Sequence, residues 1–564
     1  MFVVATAGHV DHGKSTLVHR LTGMWPDRLA EEQRRGLTID LGFAWTDIDG
    51  RRIAFVDVPG HERFVANMLA GVGPVPAVMF VVAATEGWMP QSEEHLAALD
   101  ALGVEHALLV ISKADLADPG PAIEQARERF AATSLADPAV ALGTDLGQVR
   151  SGLVGLVDRL RQPDRDADLR LWVDRSFTVR GAGTVVTGTL AAGTIRVGDE
   201  LEHAGRRVTV RGLQSLGRDL DQVGAVARVA VNLRGVDRRD VARGDTLRTP
   251  GAWLDTAEVD VVLRSPEKVH ERLMLHIGSA AVPVRVRKLG PVAARLRLAR
   301  PLPLRVKDIG LLRDPGEHRI AAGVEVLDVR PPPLRRRGAA RLRADELASG
   351  RVRPPECAPA AQLRAMGMPL TGRREGVWVV DPQWWVQRRE AAVAAVRRWS
   401  AEHDVAAGMP LETLRQQIGL PAADLLVRLL RGTDLRVADG LVRPPGAGLP
   451  PHVDKAVTTV QEWLAAEPFR APEADELAAL KLGTKELAAA VRAGRLTRIA
   501  DGVVLGADAF DRAATILATL PQPFTVSDAR KALGTSRRVA VPLLEQLDAR
   551  RVTRRREDGT RTMV

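Results

Sequence analysis

The residues with the plainest chemical purpose stand near the start of the chain. Gly8-His9-Val10-Asp11-His12-Gly13-Lys14-Ser15, followed by Thr16, fits the spacing G-x-x-x-x-G-K-[ST]. In that arrangement backbone N–H groups curl around phosphates, the lysine reaches the outer phosphates and the hydroxyl holds Mg2+. Only nine of the 80 basic residues are lysines, so a lysine at this place in an arginine-dominated chain is informative. A second cluster is Asp57-Val-Pro-Gly60-His61. It offers a carboxylate to the metal, a glycine whose N–H can meet a γ-phosphate unobstructed, and a histidine next in line to orient an attacking water. A third, Ser112-Lys113-Ala114-Asp115, matches [NT]-K-x-D with Ser in the first place. The Asp115 carboxylate can accept from guanine N1–H and the exocyclic amine, a donor pair that adenine lacks, while the Lys113 stem lies along the base. The closing loop near Val140-Ala-Leu-Gly-Thr144 is degenerate against the usual Ser-Ala. Between the first two clusters, Arg35-Gly36-Leu37-Thr38-Ile39 supplies Thr38, whose hydroxyl would join Ser15 and Asp57 on Mg2+ only while a γ-phosphate is present. The clusters together predict GTP and Mg2+ as ligands.

Positioning these loops takes strands and helices in a fixed order. Residues 2–7, 52–56 and 107–111 are apolar runs that each end at one cluster, and residues 16–21 read as a helix. Strand, glycine loop and helix in that order predict an α/β P-loop domain over 1–170. Past residue 170 short β-rich runs alternate with turn signals such as Gly198-Asp and Gly244-Asp, the pattern of small β-barrels. Two are expected, at 171–250 and 251–330. Pro331-Pro-Pro-Leu-Arg-Arg-Arg-Gly338 reads as a stiff linker. The remaining 234 residues look helical, with a short hairpin recurring about every 60 residues. Helices closed by a wing-like hairpin suggest a tandem of winged helices, at 331–382 with the linker, 383–449, 450–508 and 509–564.

With 564 residues, 45% hydrophobic and 27% charged, the chain can bury several cores. Its single cysteine, Cys357, excludes a disulfide framework and a Cys-rich zinc site. No apolar run is long enough to cross a membrane, and no cleavable leader precedes the first motif, so a cytoplasmic monomer without membrane contact is expected. The formal charge of +10 points weakly to a polyanionic partner.

The motifs together resemble the translational GTPases of the elongation factor Tu type: Gly8-His-Val-Asp-His-Gly-Lys-Ser, Arg35-Gly-Leu-Thr-Ile and Asp57-Val-Pro-Gly-His-Glu-Arg-Phe. The run Thr38-Ile-Asp-Leu-Gly-Phe-Ala is similar to the selenocysteine-specific elongation factors. Arg175-Ser-Phe-Thr-Val-Arg-Gly-Ala-Gly-Thr-Val-Val-Thr-Gly188 resembles the opening of the second domain of these factors, and Leu275-His-Ile-Gly-Ser fits the third. The resemblance implies that His61 is catalytic, with Val10 and Leu37 flanking its entry. It implies GTP-dependent delivery of selenocysteinyl-tRNA to the ribosome at a recoded UGA. A selenocysteine pocket is implied at Asp174, Arg175 and Arg228, and a message hairpin as the partner of the last winged helix. That unit, residues 524–564, holds ten Arg or Lys against five acids. Gly534-Thr535-Ser536-Arg537-Arg538 reads as the turn into a recognition helix, with Thr535 its N-cap. Arg554, Arg555, Arg556 and Arg561 lie along the wing. An initiator-tRNA or factor Tu-like GTPase is the alternative within the class. A winged-helix nucleic-acid regulator carrying a GTPase sensor is the alternative outside it.

Overall fold

The computed structural model describes all residues except 27–37, 39, 62, 63, 74, 182, 351, 404, 407, 446 and 447. Leu37 and the rest of the run 31–37 lie outside the described residues. The chain forms two compact units, one of residues 1–371 with 377–379, the other of 372–376 with 380–564.

The first unit opens with a six-stranded sheet. Its strands are β1 (Phe2–Ala7), β2 (Gly42–Ile48), β3 (Arg51–Asp57), β4 (Ala77–Ala83), β5 (His106–Ser112) and β6 (Ala139–Leu142), in the order β2-β3-β1-β4-β5-β6. All neighbours are parallel except β2 with β3. The central strands are largely apolar because helices cover both faces. Helices α1 (Lys14–Thr22) and α5 (Leu146–Asp158) pack Leu17, Leu21, Leu153 and Val157 on one face. Helices α2 (Val65–Val72), α3 (Pro90–Ala101) and α4 (Gly120–Phe130) pack Met68, Leu69, Leu99 and Phe130 on the other. The phosphate, metal and guanine motifs therefore emerge at the carboxyl ends of β1, β3 and β5, where a parallel sheet places its ligands.

Strands begin again at Arg170. The path through the second domain runs from Arg170–Trp172 to Arg175–Val179 by way of five intervening strands. Its two ends are consecutive in the chain. Val173 N–H donates to Asp245 O at 2.8 Å and Asp174 N–H to Thr187 O at 3.0 Å, so these two residues close the sheet on itself. The third domain is a closed barrel of six strands: Leu254–Arg264, Arg272–Ile277, Ala280–Lys288, Ala293–Leu304, Ile309–Asp314 and Arg319–Asp328.

Residue 331 is not a break in packing. The helix Ala339–Ala348 is tied to the third domain through a buried charge group. Arg343 Nε and Arg295 Nε each donate to Asp260 at 2.6 Å, and Arg343 also pairs with Asp328. Leu363 and Met366 from the helix Ala360–Met366 join the barrel's own core. The charge group and these two side chains pack this stretch on the third domain.

The second unit holds three successive groups of helices, each closed by a hairpin. The first has Pro382–Glu402, Leu411–Gln417 and Ala423–Leu430, with strands Arg436–Ala438 and Leu441–Arg443. The second has Pro451–Ala466, Ala474–Ala479 and Thr484–Arg492, with Leu496–Ala500 and Val503–Gly506. The third has Ala509–Leu517, Val526–Ala532 and Arg537–Ala549, with Thr553–Arg555 and Arg561–Met563. The last two share one core, in which Phe469, Leu482 and Leu505 meet Phe524, Leu543 and Leu547.

Candidate functional site: the nucleotide loops and their neighbours

The phosphate loop has a shape that only its glycines permit. Gly8 has φ +124, and a Cβ there would lie 2.1 Å from Val81 O; Gly13, at φ +84, opens α1. Lys14 is buried, its Nζ donating to Gly8 O at 3.0 Å and His9 O at 2.7 Å across the mouth of the loop. A Cβ on Gly60 would sit 2.5 Å from Lys14 Nζ and 2.7 Å from Val10 N. The backbone at residue 60 therefore abuts the phosphate cradle, and His61 follows it directly, half-buried, with its ring 5.9 Å from that of Phe64.

Three oxygens converge beside the cradle. Ser15 Oγ donates to Asp57 Oδ2 at 2.6 Å and lies 3.1 Å from Thr38 Oγ1. Asp57 is fully buried, and its other oxygen accepts from Thr6 Oγ1 at 2.6 Å. An all-oxygen set of two hydroxyls and one carboxylate is the donor chemistry Mg2+ prefers. Thr6 escaped the sequence reading. Its signal was a lone hydroxyl in an apolar strand, one residue past the pairing of Ala5 with Val56 and hence opposite Asp57.

On the guanine side, Ser112 Oγ donates to His12 O at 2.7 Å and so ties the end of β5 to the phosphate loop. Lys113 has a left-handed backbone, φ 52, and its Nζ pairs with Glu86 at 3.0 Å. Asp115 is exposed, and its carboxylate makes no hydrogen bond among the described residues. The loop after β6 packs against the end of β5, with a Cβ on Gly143 falling 3.3 Å from Ser112 Cα. His9 and Asp11 lie in the phosphate loop, Asp11 in the left-handed region at φ 60.

Two buried histidines brace this loop. His95 of α3 accepts the Gly8 N–H on Nδ1 at 3.1 Å, and burial, aided by the nearby Lys14 and His9 charges, pushes it down to about 3. His12 is held down to about 4, again chiefly by burial. A histidine lowered in the folded state binds its proton first in the unfolded chain. The stability it contributes is complete above about pH 6.5 and is lost as pH falls toward the folded value. From pH 6.5 to 5, His95 should cost the parental chain about 2 kcal/mol. Hydrogen exchange of β1 and β4 in the full chain should show this acid-side loss reduced by that amount in His95→Gln. An equal loss in parent and variant would remove the assignment.

In the second domain Asp174, Arg175 and Arg228 do come together, but not as free cations. Arg228 grips Asp174 with two nitrogens, Nη2 at 2.6 Å from Oδ1, and its guanidinium lies 3.9 Å from the centre of the Phe43 ring. Arg175 Nη2 donates to Asp40 Oδ2 at 2.8 Å. Each of the two arginines already faces a carboxylate, Asp174 for Arg228 and Asp40 for Arg175. Farther along the same strands lies a cavity of about 670 Å3. Phe177, Val179, Val185, Gln214 and Asn232 line it, and the buried Asn232 Oδ1 has no partner among the described residues.

The last winged helix needs three corrections. Its helix Arg537–Ala549 is capped at Ser536, not Thr535, whose hydroxyl instead donates to Phe469 O at 2.5 Å. Arg538 donates to Pro472 O at 3.0 Å and pairs with Glu473 at 3.1 Å, so it fastens this unit to the one before. Arg561 is buried on Asp548 at 2.8 Å and cannot serve the wing. Arg537, Arg554, Arg555 and Arg556 are exposed, with no carboxylate partner among the described residues.

Known proteins place this geometry. Residues 1–135 match the family described as Elongation factor Tu GTP binding domain, residues 183–248 Elongation factor Tu domain 2, and residues 515–562 Elongation factor SelB, winged helix. The selenocysteine-specific elongation factor of Escherichia coli (strain K12) is 33% identical over 610 residues, covering 98% of this chain and 97% of that protein. The chain belongs to the selenocysteine-specific elongation factors. Their namesake from Desulfomicrobium baculatum is 37% identical over 351 residues, 58% of this chain and 55% of that one. The crystal structure of a bacterial selenocysteine-specific elongation factor, EF-Sec, superposes with a TM-score of 0.72 at 25% identity, covering 100% of this chain and 99% of the other. As a member of this family the chain is a translational GTPase with an elongation factor Tu-type GTP-binding domain. Among the described residues no helix is long and apolar enough to cross a membrane.

Proposed function

We propose that the chain carries selenocysteinyl-tRNA to the ribosome at a recoded UGA codon, and that its last winged helix binds a hairpin of the message. Ser15, Thr38 and Asp57 would hold Mg2+, which neutralises charge on the phosphates when bound. Lys14 and the Gly60 N–H would hold the outer phosphates, and His61 would orient the water that attacks the γ-phosphorus. On the ribosome His61 would be pressed into place with Val10 and Leu37 at its entry. Release of phosphate frees Thr38 and loosens the junction of the first two domains.

The observation that carries this reading is the group formed by Asp174, Arg175 and Arg228 against Phe43, at the junction of the nucleotide and second domains. A selenol is far more acidic than a thiol or an alcohol, so selenocysteine reaches the pocket as an anion. Serine, carried by a neighbouring aminoacyl-tRNA, is neutral there. Oriented guanidinium groups would favour the first over the second through charge-assisted bonds. The cavity beyond, lined by apolar side chains together with Gln214 and Asn232, whose amide oxygen has no partner among the described residues, suits the terminal nucleoside of the tRNA. Arg228→Ala should shrink the preference for selenocysteinyl-tRNA over seryl-tRNA by about tenfold, the worth of one charge-assisted bond. The two dissociation constants, measured with a GTP analogue bound, test this, and an unchanged ratio would sink the pocket.

A further inference from the structure

A carboxylate just past the nucleotide switch wires it to the cations of the aminoacyl pocket. Asp40 stands two residues after Thr38. Its Oδ2 accepts from Arg175, and its Oδ1 accepts from Arg243 Nη2 at 2.6 Å. Arg243 spends its other nitrogens elsewhere. Nε donates to the Asp174 carbonyl at 2.8 Å, and Nη1 donates to Asn67 Oδ1 on α2, the helix that follows Gly60 and His61. One guanidinium thus touches the segment that carries Thr38, the helix behind His61, and the backbone of the pocket.

Among the described residues three guanidiniums (Arg175, Arg228, Arg243) face two carboxylates (Asp40, Asp174), an excess of one positive charge. One selenolate neutralises such an excess and a serine hydroxyl does not. We propose that Asp40 and Arg243 are positioning residues that couple the bound nucleotide to the aminoacyl pocket. With Thr38 at the metal site, Asp40 orients Arg175 and Arg243 and keeps that excess at one. Two residues span at most about 7 Å of chain, so release of Thr38 draws Asp40 away and leaves both arginines unoriented. The inference rests on the reading above that this pocket receives selenocysteine.

The test compares dissociation constants of selenocysteinyl-tRNA and seryl-tRNA, each with a non-hydrolysable GTP analogue and with GDP. The parental chain, Asp40→Asn, Asp40→Glu and Arg243→Ala are measured as full chains. Allosteric couplings of this kind are typically about 5–150-fold. The parental ratio of GDP-state to GTP-state constants should fall about tenfold or more in Asp40→Asn and in Arg243→Ala, and Asp40→Glu should recover most of it. Asp40→Asn also removes one carboxylate from the group, so its affinity for either tRNA should become more sensitive to salt. A nucleotide ratio kept within about twofold of the parent's in Asp40→Asn or Arg243→Ala would overturn the coupling. A parental chain that binds the two tRNAs equally would instead overturn the pocket reading and its charge matching, while the nucleotide ratio would still decide the coupling.

Discussion

A chain carrying His61→Ala is expected to keep GTP and selenocysteinyl-tRNA and to hydrolyse GTP on ribosomes about 10^2–10^4 times more slowly than the parent, the range that positioned general acid–base groups supply. The division of labour follows from the loop geometry. Lys14, Ser15 and the Gly60 backbone face the phosphates. His61 follows Gly60 by one residue, half-buried beside the Phe64 ring. Its removal should cost the attacking water its orientation and leave the cradle intact. Single-turnover hydrolysis on programmed ribosomes, with nucleotide affinity measured alongside, separates the two effects. Parental hydrolysis by the alanine variant would take the water-orienting role away from His61. A matching loss of GTP affinity would place the residue among the phosphate ligands instead.

The nucleotide loops were legible because each is a local pattern at the end of an apolar run. A glycine that must adopt φ +124 under Val81 O, or a lysine that must follow Gly13, leaves its mark in sequence whatever the distant chain does. The residues that brace those loops left much less. His95 meets Gly8 across 87 positions and Arg243 meets Asp40 across 203. In a chain so rich in arginine, nothing local separates Arg243 from an exposed neighbour. The barrels were visible as alternating runs, yet which arginines faced carboxylates depended on partners that only the closed sheet reveals. Arg228 shows this: its sequence neighbours Ala227 and Val229 say only that it lies on a strand, and its role is set by Asp174, 54 residues away. The linker at 331 shows the same limit. Its prolines and arginines mark an exposed turn, but Arg343, a dozen residues later, is drawn into a buried charge group with Asp260 and Asp328. The helical part that follows was readable as repeating helices and hairpins. The shared core of its last two groups was not, because Phe469 and Leu547 belong to different repeats.

That shared core changes how the proposed message-binding end is best tested. Replacing Arg537 and Arg538 together would confound two roles, since Arg538 bonds Pro472 O and Glu473 and holds the last two groups together. The cleaner variants are Arg537→Ala and the triple Arg554→Ala, Arg555→Ala, Arg556→Ala. All four side chains are exposed, on the first turn of the helix Arg537–Ala549 and on the wing. The narrow, deep major groove of an RNA stem hides its base edges, so a winged helix here would grip phosphates and read bases only where a loop or bulge splays them out. At about 1 kcal/mol for each exposed contact, the wing triple should weaken binding about 100-fold. It should also flatten the salt dependence by about two to three units in log–log slope, against about one for Arg537→Ala. The probe is the hairpin that follows an in-frame UGA in a selenoprotein message of the same organism, with a scrambled stem as control. The phosphate contribution should fall equally for both RNAs, so the preference for the native hairpin should survive in the wing triple. GTP hydrolysis, which belongs to the first unit, should stay near the parental rate. Unchanged affinity and salt slope in the triple would move the RNA-binding surface off this wing.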